Sequence, residues 1–190
     1  MTTTTPQTLD QGNAWLKRYY FTRAGVSAAW VAAAVGLAHS NAVVTAALLL
    51  MYPACDALAN LLDAQRNGGP TRNPTQAFNA AVSVVTTVAV LIALTQSMNA
   101  VLGVFGVWAG LAGVLQLATG VRRWKSYGAQ WPMILSGIQS TGAGVMFVIQ
   151  SNAPEVPSIA VLAPYAAFGA LYFLISAVWL TVGDARRRRG

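Results

Sequence analysis

The sequence predicts an all-α, polytopic membrane protein with six transmembrane helices, arranged as three parallel-repeat helical hairpins. Of its residues, 55% are hydrophobic and only 9% are charged, against about 25% charged in ordinary soluble domains. The segment from Ala100 to Val121 carries no charge, and about 20 apolar helical residues cross a hydrocarbon layer about 30 Å thick. The basic residues fall in short runs beside such segments, as is typical of membrane proteins.

The first three predicted helices span residues 20–38, 43–62 and 77–95, after a polar N-terminal tail at 1–19. The first follows a basic and aromatic edge and is apolar apart from Arg23 and a few small polar residues. The second carries Asp56 and Asn60 and ends before a loop rich in Gly and Pro. The third is rich in Val and Thr, which favour strands, but its uncharged length favours a spanning helix.

The last three predicted helices span residues 100–121, 131–150 and 159–182, so that the transmembrane domain covers 20–182. Helix four ends in a cluster of Arg and Lys with Trp124 and Tyr127, residues that anchor a helix at the headgroup boundary. Pro154 and Pro157 separate helices five and six. A basic tail at 183–190 closes the chain.

The positions of the basic residues predict the orientation. The twelve are Lys17, Arg18, Arg23, Arg66, Arg72, Arg122, Arg123, Lys125 and Arg186 to Arg189. All lie on the same side of the six-helix layout, and cytoplasmic loops are enriched in Lys and Arg. Both termini are therefore predicted to be cytoplasmic, in a multi-pass protein of the bacterial inner membrane.

An internal repeat of 56 residues supports this layout. The shift superposes Ser27 on Ser83 and then on Gln139, and it superposes Asn60 on Gln116. Each hairpin begins and ends on the same side, so the repeats are parallel, with an axis along the membrane normal. A pseudo-threefold bundle of six helices is the natural closed arrangement.

Several segments resemble the HdeD-like family of short-repeat bacterial membrane proteins. They are LLLMYPACDALANLLDAQR in helix two, VLGVFGVWAGLAGVLQLATGVRRWK in helix four and GAQWPMILSGIQSTGAGVMFVI in helix five. The positions that match the family pattern are Tyr52, Asp56, Trp131, Leu135, Ser136 and Gly137. Position 57 is Ala57 where Gly is commoner, and Pro53 departs from the pattern. The resemblance implies a helical fold and a role in acid or general stress tolerance in the inner membrane.

A candidate polar cluster consists of Arg23, Asp56, Asn60, Asp63 and Gln116. A carboxylate within the apolar layer costs about 2.5 to 3.5 kcal/mol on insertion scales, so Asp56 is expected to face the bundle interior with a partner. Asn60 and Asp63 follow on the same helical face, and Arg23 lies at a suitable depth to pair with either acid. The cluster is either a structural clasp, which we favour, or a proton-responsive or ion-coordinating group.

Two further groups have a candidate role. The glycines of helix four share one face, which serves as a subunit contact or as an internal packing seam: Gly103, Gly106, Gly110 and Gly113. Arg186, Arg187, Arg188 and Arg189 are candidates for contact with anionic lipid headgroups.

The sequence contains no recognisable enzyme motif. With one His and one Cys, it offers no common metal-ligand set, and we expect no catalytic residue, metal or cofactor. The expected partners are the lipid bilayer and either a second copy or another membrane protein, with no nucleic acid.

The first functional hypothesis is a non-enzymatic HdeD-like protein that acts through packing, oligomerisation or a partner. The alternative is a small channel or transporter that uses Asp56, and a weaker one is an accessory or lipid-interacting subunit. A transport route needs a continuous polar face, and the sequence favours a dry centre.

Overall fold

The computed structural model describes residues 6–37, 41–123 and 131–187, which form six α-helices and one short 3-10 helix and no strands. The all-α expectation is confirmed. The helices are α1 (Pro6–Gly36), α2 (Ala42–Arg66), α3 (Pro74–Ala93), α4 (Met98–Arg123), α5 (Trp131–Gln150) and α6 (Ala163–Arg187), and the 3-10 helix (Ile159–Leu162) precedes α6.

Helix α1 begins earlier than the sequence indicates. It starts at Pro6 rather than at Tyr20, so most of the predicted polar tail is helical. Helix α6 continues to Arg187 and is in extensive contact with α1. Lys17 forms an ion pair with Asp184 at this contact.

The loop between α2 and α3 is fixed by local chemistry. Gly68 and Gly69 adopt φ angles of 97° and 94°, a region that glycine enters without steric cost. The side-chain amide of Asn73 donates to the carbonyl oxygens of Asn67 at 2.7 Å and Gly69 at 3.0 Å. These bonds join the end of α2 to the start of α3 and hold the two helices antiparallel.

Polar and apolar residues are distributed as in a membrane protein. The buried polar residues include Ser83 and Ser140, whereas Val85 and Ile149 are each 67% exposed. Large apolar side chains on the outer surface suit contact with lipid. In a membrane, small and polar residues mediate the contacts between helices. Four segments are long and apolar enough to cross a membrane: Ala42–Arg66, Pro74–Ala93, Met98–Ala118 and Ile159–Arg187. Spans in α1 and α5 stay predictions.

The six helices close into a ring in chain order. Each helix contacts its neighbours in sequence, and α1 contacts α6. The most extensive contacts join α1 to α6, α2 to α3 and α4 to α5, and sparser contacts alternate with them. This alternation has a threefold pattern. It also differs from the simplest expectation for hairpin repeats, because the closest pairs join successive hairpins rather than the two helices of one hairpin.

Helices α4 and α5 approach each other through glycines that are seven residues apart on each helix. A Cβ atom on Gly144 would lie 2.5 Å from the amide nitrogen of Gly110 and 2.7 Å from the carbonyl oxygen of Gly106. A Cβ atom on Gly113 would lie 2.8 Å from the carbonyl oxygen of Gly137. One on Gly103 would lie 3.3 Å from Ser151 Oγ. The glycine face of α4 thus lies at a contact within the chain.

An aromatic cluster fills the half of the bundle that contains the 3-10 helix. It consists of Trp30, Tyr52, Phe105, Trp108, Phe147 and Tyr165, and five of the six helices contribute. The ring centroids of Tyr52 and Trp108 are 5.7 Å apart with nearly perpendicular planes, a favoured geometry for aromatic pairs. This cluster closes one half of the bundle.

Candidate functional site

A cavity of about 600 Å³ occupies the other half of the bundle, between the aromatic cluster and the basic end where α2 ends at Arg66. We call this cavity the vestibule, and all six helices line it. Its polar lining includes Arg18, Arg23, Ser27, Asp56, Asn60, Asp63, Gln76, Asn79, Gln116, Ser136, Gln139 and Ser140. Its aromatic lining includes Trp15, Tyr19, Tyr20, Tyr52, Trp108, Tyr165, Phe168, Tyr172 and Phe173.

The aromatic cluster closes one end of the vestibule. Tyr52, Trp108 and Tyr165 both line it and belong to the aromatic cluster. Phe105 and Phe147, on the far side of these rings, are fully buried and do not line the cavity. The expected dry centre is therefore present in one half of the bundle, and the other half holds a polar space.

Arg23 and Asp56 form an ion pair in the wall of the vestibule. The guanidinium of Arg23 also donates to the hydroxyl of Tyr19 at 3.1 Å and lies 4.3 Å from the ring centroid of Phe173. Asp56 lies ten residues before the end of α2, about 15 Å along the helix axis at 1.5 Å per residue. The pair is thus well inside the bundle, and Arg23 selects Asp56 rather than Asp63.

The second carboxylate oxygen of Asp56 is also satisfied. Oδ2 accepts from Asn60 Nδ2 and from Ser83 Oγ, each at 2.9 Å. Ser83 Oγ in turn accepts from Trp108 Nε1 at 3.1 Å. Since a buried charge is tolerated only with partners, this network explains how Asp56 is accommodated. It ties together α1, α2, α3 and α4.

Asp63 and Gln116 lie apart from this network, although both line the vestibule. Asp63 accepts hydrogen bonds from Asn67 Nδ2, at 3.0 Å, and from the side chain of Gln76 on α3. No hydrogen bond joins Gln116 to Asp56 in the described ranges. The predicted polar cluster is therefore one tight group of Arg23, Asp56 and Asn60, with two further residues in the same cavity.

The predicted lipid-contact residues are only partly covered by the described chain. Arg186 and Arg187 belong to the last turn of α6, and Arg187 pairs with Asp184. Asp184 also binds Lys17, so this end of α6 is tied to α1. Arg188 and Arg189 lie outside the described residues.

Sequence reasoning missed several residues that complete the site. Tyr19 and Phe173 hold the guanidinium of Arg23, and no spacing in the sequence indicates this. Trp108 and Cys55 read as packing residues, yet both line the vestibule. A signal was available only for Ser83, because the 56-residue shift aligns it with Ser27 and Gln139.

Three features define this chain as a helical membrane protein. Its helices are long and apolar, large apolar side chains are exposed while polar ones are buried, and one half of the bundle interior is polar. The model of a family described as a short repeat of unknown function (DUF308) matches residues 78–149. This match begins within α3 and covers α4 and nearly all of α5. It includes Trp131 and Ser136 of the HdeD-like pattern but neither Tyr52 nor Asp56, and it is consistent with that resemblance. Comparisons with curated proteins and with solved structures give no match.

Proposed function

We propose that this protein is a non-enzymatic, HdeD-like protein of the bacterial inner membrane that contributes to acid or general stress tolerance. The short-repeat match and the HdeD-like residues support the family assignment. The one-sided distribution of Lys and Arg supports cytoplasmic termini. In this orientation the vestibule opens toward the cytoplasm.

The protein acts by binding in the vestibule rather than by conducting ions. The observation that carries this proposal is that the polar cavity ends at the aromatic cluster. A conducting route needs polar groups or water along its whole length, and the packed rings interrupt it. The bilayer surrounds the bundle, and its exposed apolar faces suit a second copy or another membrane protein as partner.

Flux measurements test this proposal. Purified full-length protein and the Asp56→Asn variant are reconstituted in liposomes, and proton and potassium flux are followed at acid and at neutral external pH. We expect no flux above that of empty liposomes while the sample remains folded. Sustained flux that depends on Asp56 is the result that overturns it.

The single cysteine gives a second test. Cys55 lines the vestibule, so a charged, membrane-impermeant thiol reagent is expected to modify it from the cytoplasmic side alone. Inside-out and right-side-out vesicles separate the two sides, and Cys55→Ala is the control for unspecific reaction. Equal modification from both sides contradicts a one-sided vestibule.

A second candidate function is transport by alternating access. The observation that favours it is the alternation of extensive and sparse helix contacts, which leaves the α1–α2 and α5–α6 contacts sparse. These contacts are the places where the bundle opens most easily. Ala166, fully buried against the aromatic cluster, is the test position: Ala166→Cys, in a Cys55→Ala background, reacts from the outer side only if that half opens.

A further inference from the structure

Polar side chains recur in the vestibule at positions related by the 56-residue repeat. Asn60, Gln116 and Tyr172 form one set, and Ser27, Ser83 and Gln139 form another. All of these except Ser83 line the vestibule. Because the equivalent position of each repeat carries a hydrogen-bonding side chain, each set places polar groups from different helices around the same cavity.

Three carboxamides of this cavity have no hydrogen-bond partner among the residues that the structure describes. Asn79, Gln116 and Gln139 come from α3, α4 and α5, and all three are half-buried. Within the described ranges none of them donates or accepts a hydrogen bond. In a helix bundle such amides ordinarily bond to a neighbouring helix, so three that converge on one space are available to a bound molecule.

An additional donor lies at the mouth of the vestibule. Trp15 Nε1 is buried and has no hydrogen-bond partner among the described residues. A buried donor without an acceptor costs free energy. An acceptor supplied by a ligand removes this cost.

The charges of the inner vestibule are already balanced. Arg23 neutralises Asp56, and Asn60 and Ser83 satisfy its second oxygen. The remaining polar groups at this depth are amides and hydroxyls, which both donate and accept. They favour an uncharged ligand with several polar groups. The two charged lining residues without an ion pair among the described residues, Arg18 and Asp63, lie one to two helical turns farther along α1 and α2 from Arg23 and Asp56.

The aromatic walls provide the apolar part of the site. Tyr52, Trp108 and Phe168 line the cavity beside the amides. Small-molecule sites typically combine apolar and aromatic walls with a few convergent polar groups, in a volume of about 300 to 1,000 Å³. The vestibule, at about 600 Å³, has this composition and size.

We propose that the vestibule binds a small, uncharged, polyhydroxylated solute, held by Gln116 and Gln139 against the rings of Tyr52 and Trp108. This inference rests on the proposed function of the vestibule as a one-sided binding site and names its ligand class. Hydroxyl groups of the solute pair with the free amides, and its apolar edges pack on the rings.

Equilibrium binding tests the proposal with defined probes. Full-length protein in lipid nanodiscs is titrated with myo-inositol and D-glucose, and with the charged analogues D-gluconate and D-glucosamine. We expect saturable binding of at least one neutral probe, weaker binding of both charged ones, and slower modification of Cys55 by a thiol reagent when the neutral probe is bound.

Variants locate the site. Gln116→Leu and Gln139→Leu are each expected to weaken binding of the neutral probe about tenfold, as loss of a buried hydrogen bond does. Gln150→Leu is the matched control, because Gln150 ends α5 away from the vestibule and should bind as wild type. Gln139→Asn, a milder change, is expected to give an intermediate affinity.

Three results overturn the proposal: no saturable binding of either neutral probe, tighter binding of a charged analogue, or unchanged affinity in both Leu variants. The flux experiment keeps this outcome separate from failure of the proposed function. Asp56-dependent flux with intact polyol binding overturns the proposed function alone. Absence of both flux and binding overturns the ligand class alone.

Discussion

Arg23 of α1 and Asp56 of α2 form an ion pair whose two side chains are each about four-fifths buried, with 20% and 21% of their surfaces exposed. The aromatic ring of Phe173 covers the guanidinium, and Ser83 and Asn60 complete the carboxylate shell. Groups from α1, α2, α3 and α6 therefore meet at one charge pair. The mutational consequences of this arrangement differ for single and double substitutions.

Removing one charge of this pair is expected to destabilise the bundle strongly. Asp56→Leu leaves the guanidinium of Arg23 without its counter-ion, at a cost of about 3 kcal/mol in the free energy of unfolding. Combining it with Arg23→Met removes both charges and should recover most of this loss. Chemical denaturation in mixed micelles measures both variants. A double variant as unstable as the single one contradicts this account.

Two glycines of α5 are expected to respond in opposite directions to alanine. In Gly144→Ala the new methyl group meets the backbone of Gly110 and Gly106, and the helices must separate, which costs about 2 kcal/mol. In Gly142→Ala the methyl group enters open space, and the better helix propensity of Ala stabilises by up to about 1 kcal/mol. Thermal unfolding in one detergent compares the pair. Equal effects of the two changes argue against close packing of α4 on α5.

Asn60 and Gln116 occupy equivalent positions in the repeat, but substitution by Leu is expected to change the free energy of unfolding in opposite directions at the two positions. Asn60→Leu deletes the hydrogen bond to Asp56 and should lower the free energy of unfolding by about 2 kcal/mol. Gln116→Leu replaces an amide that bonds to no described residue and should raise it by about 1 kcal/mol. The same denaturation assay, without added solute, measures both. Destabilisation by Gln116→Leu means that the amide has a partner in the apo protein.

Removal of the Ser83 hydroxyl, which links Asp56 to Trp108, is expected to destabilise the protein more than removal of a serine hydroxyl outside this network. Ser83→Ala deletes a donor to Asp56 and leaves Trp108 Nε1 without its acceptor, a loss of about 2 kcal/mol. Ser176→Ala is the control, because within the described part of the chain the hydroxyl of Ser176 bonds to the carbonyl of Tyr172 in its own helix and to no other group. Its effect should stay within about 0.5 kcal/mol. Near-ultraviolet circular dichroism compares the packing of the aromatic side chains in the same pair of variants.

The helical class of this protein followed from its sequence because membrane physics leaves few options. Long uncharged segments must satisfy their backbone groups internally, and only helices and closed barrels do so. The start of α1 was predicted too late because its first turns are polar, and its principal contact is with α6, far along the chain. The hydropathy of the sequence does not indicate a contact between helices that lie so far apart in the chain.

The site was predicted in part. The cost of an intramembrane carboxylate pointed to Asp56 and to a cationic partner, since such groups rarely stay unpaired. The cavity itself was not predicted, because a cavity is a property of six helices together and no single residue indicates it. Trp108 illustrates the difficulty: its sequence position suggests packing, and only the assembled bundle places its indole nitrogen beside Ser83.

The contact between α1 and α6 has a consequence for synthesis of the chain. The end of α1 and the start of α6 are separated by 127 residues, from Gly36 to Ala163, which take about 6 to 25 s to translate at 5 to 20 residues per second. During that interval α1 has been synthesised but lacks its principal neighbour. A chain that ends before α6 is therefore expected to leave exposed the face of α1 that α6 covers in the full-length protein.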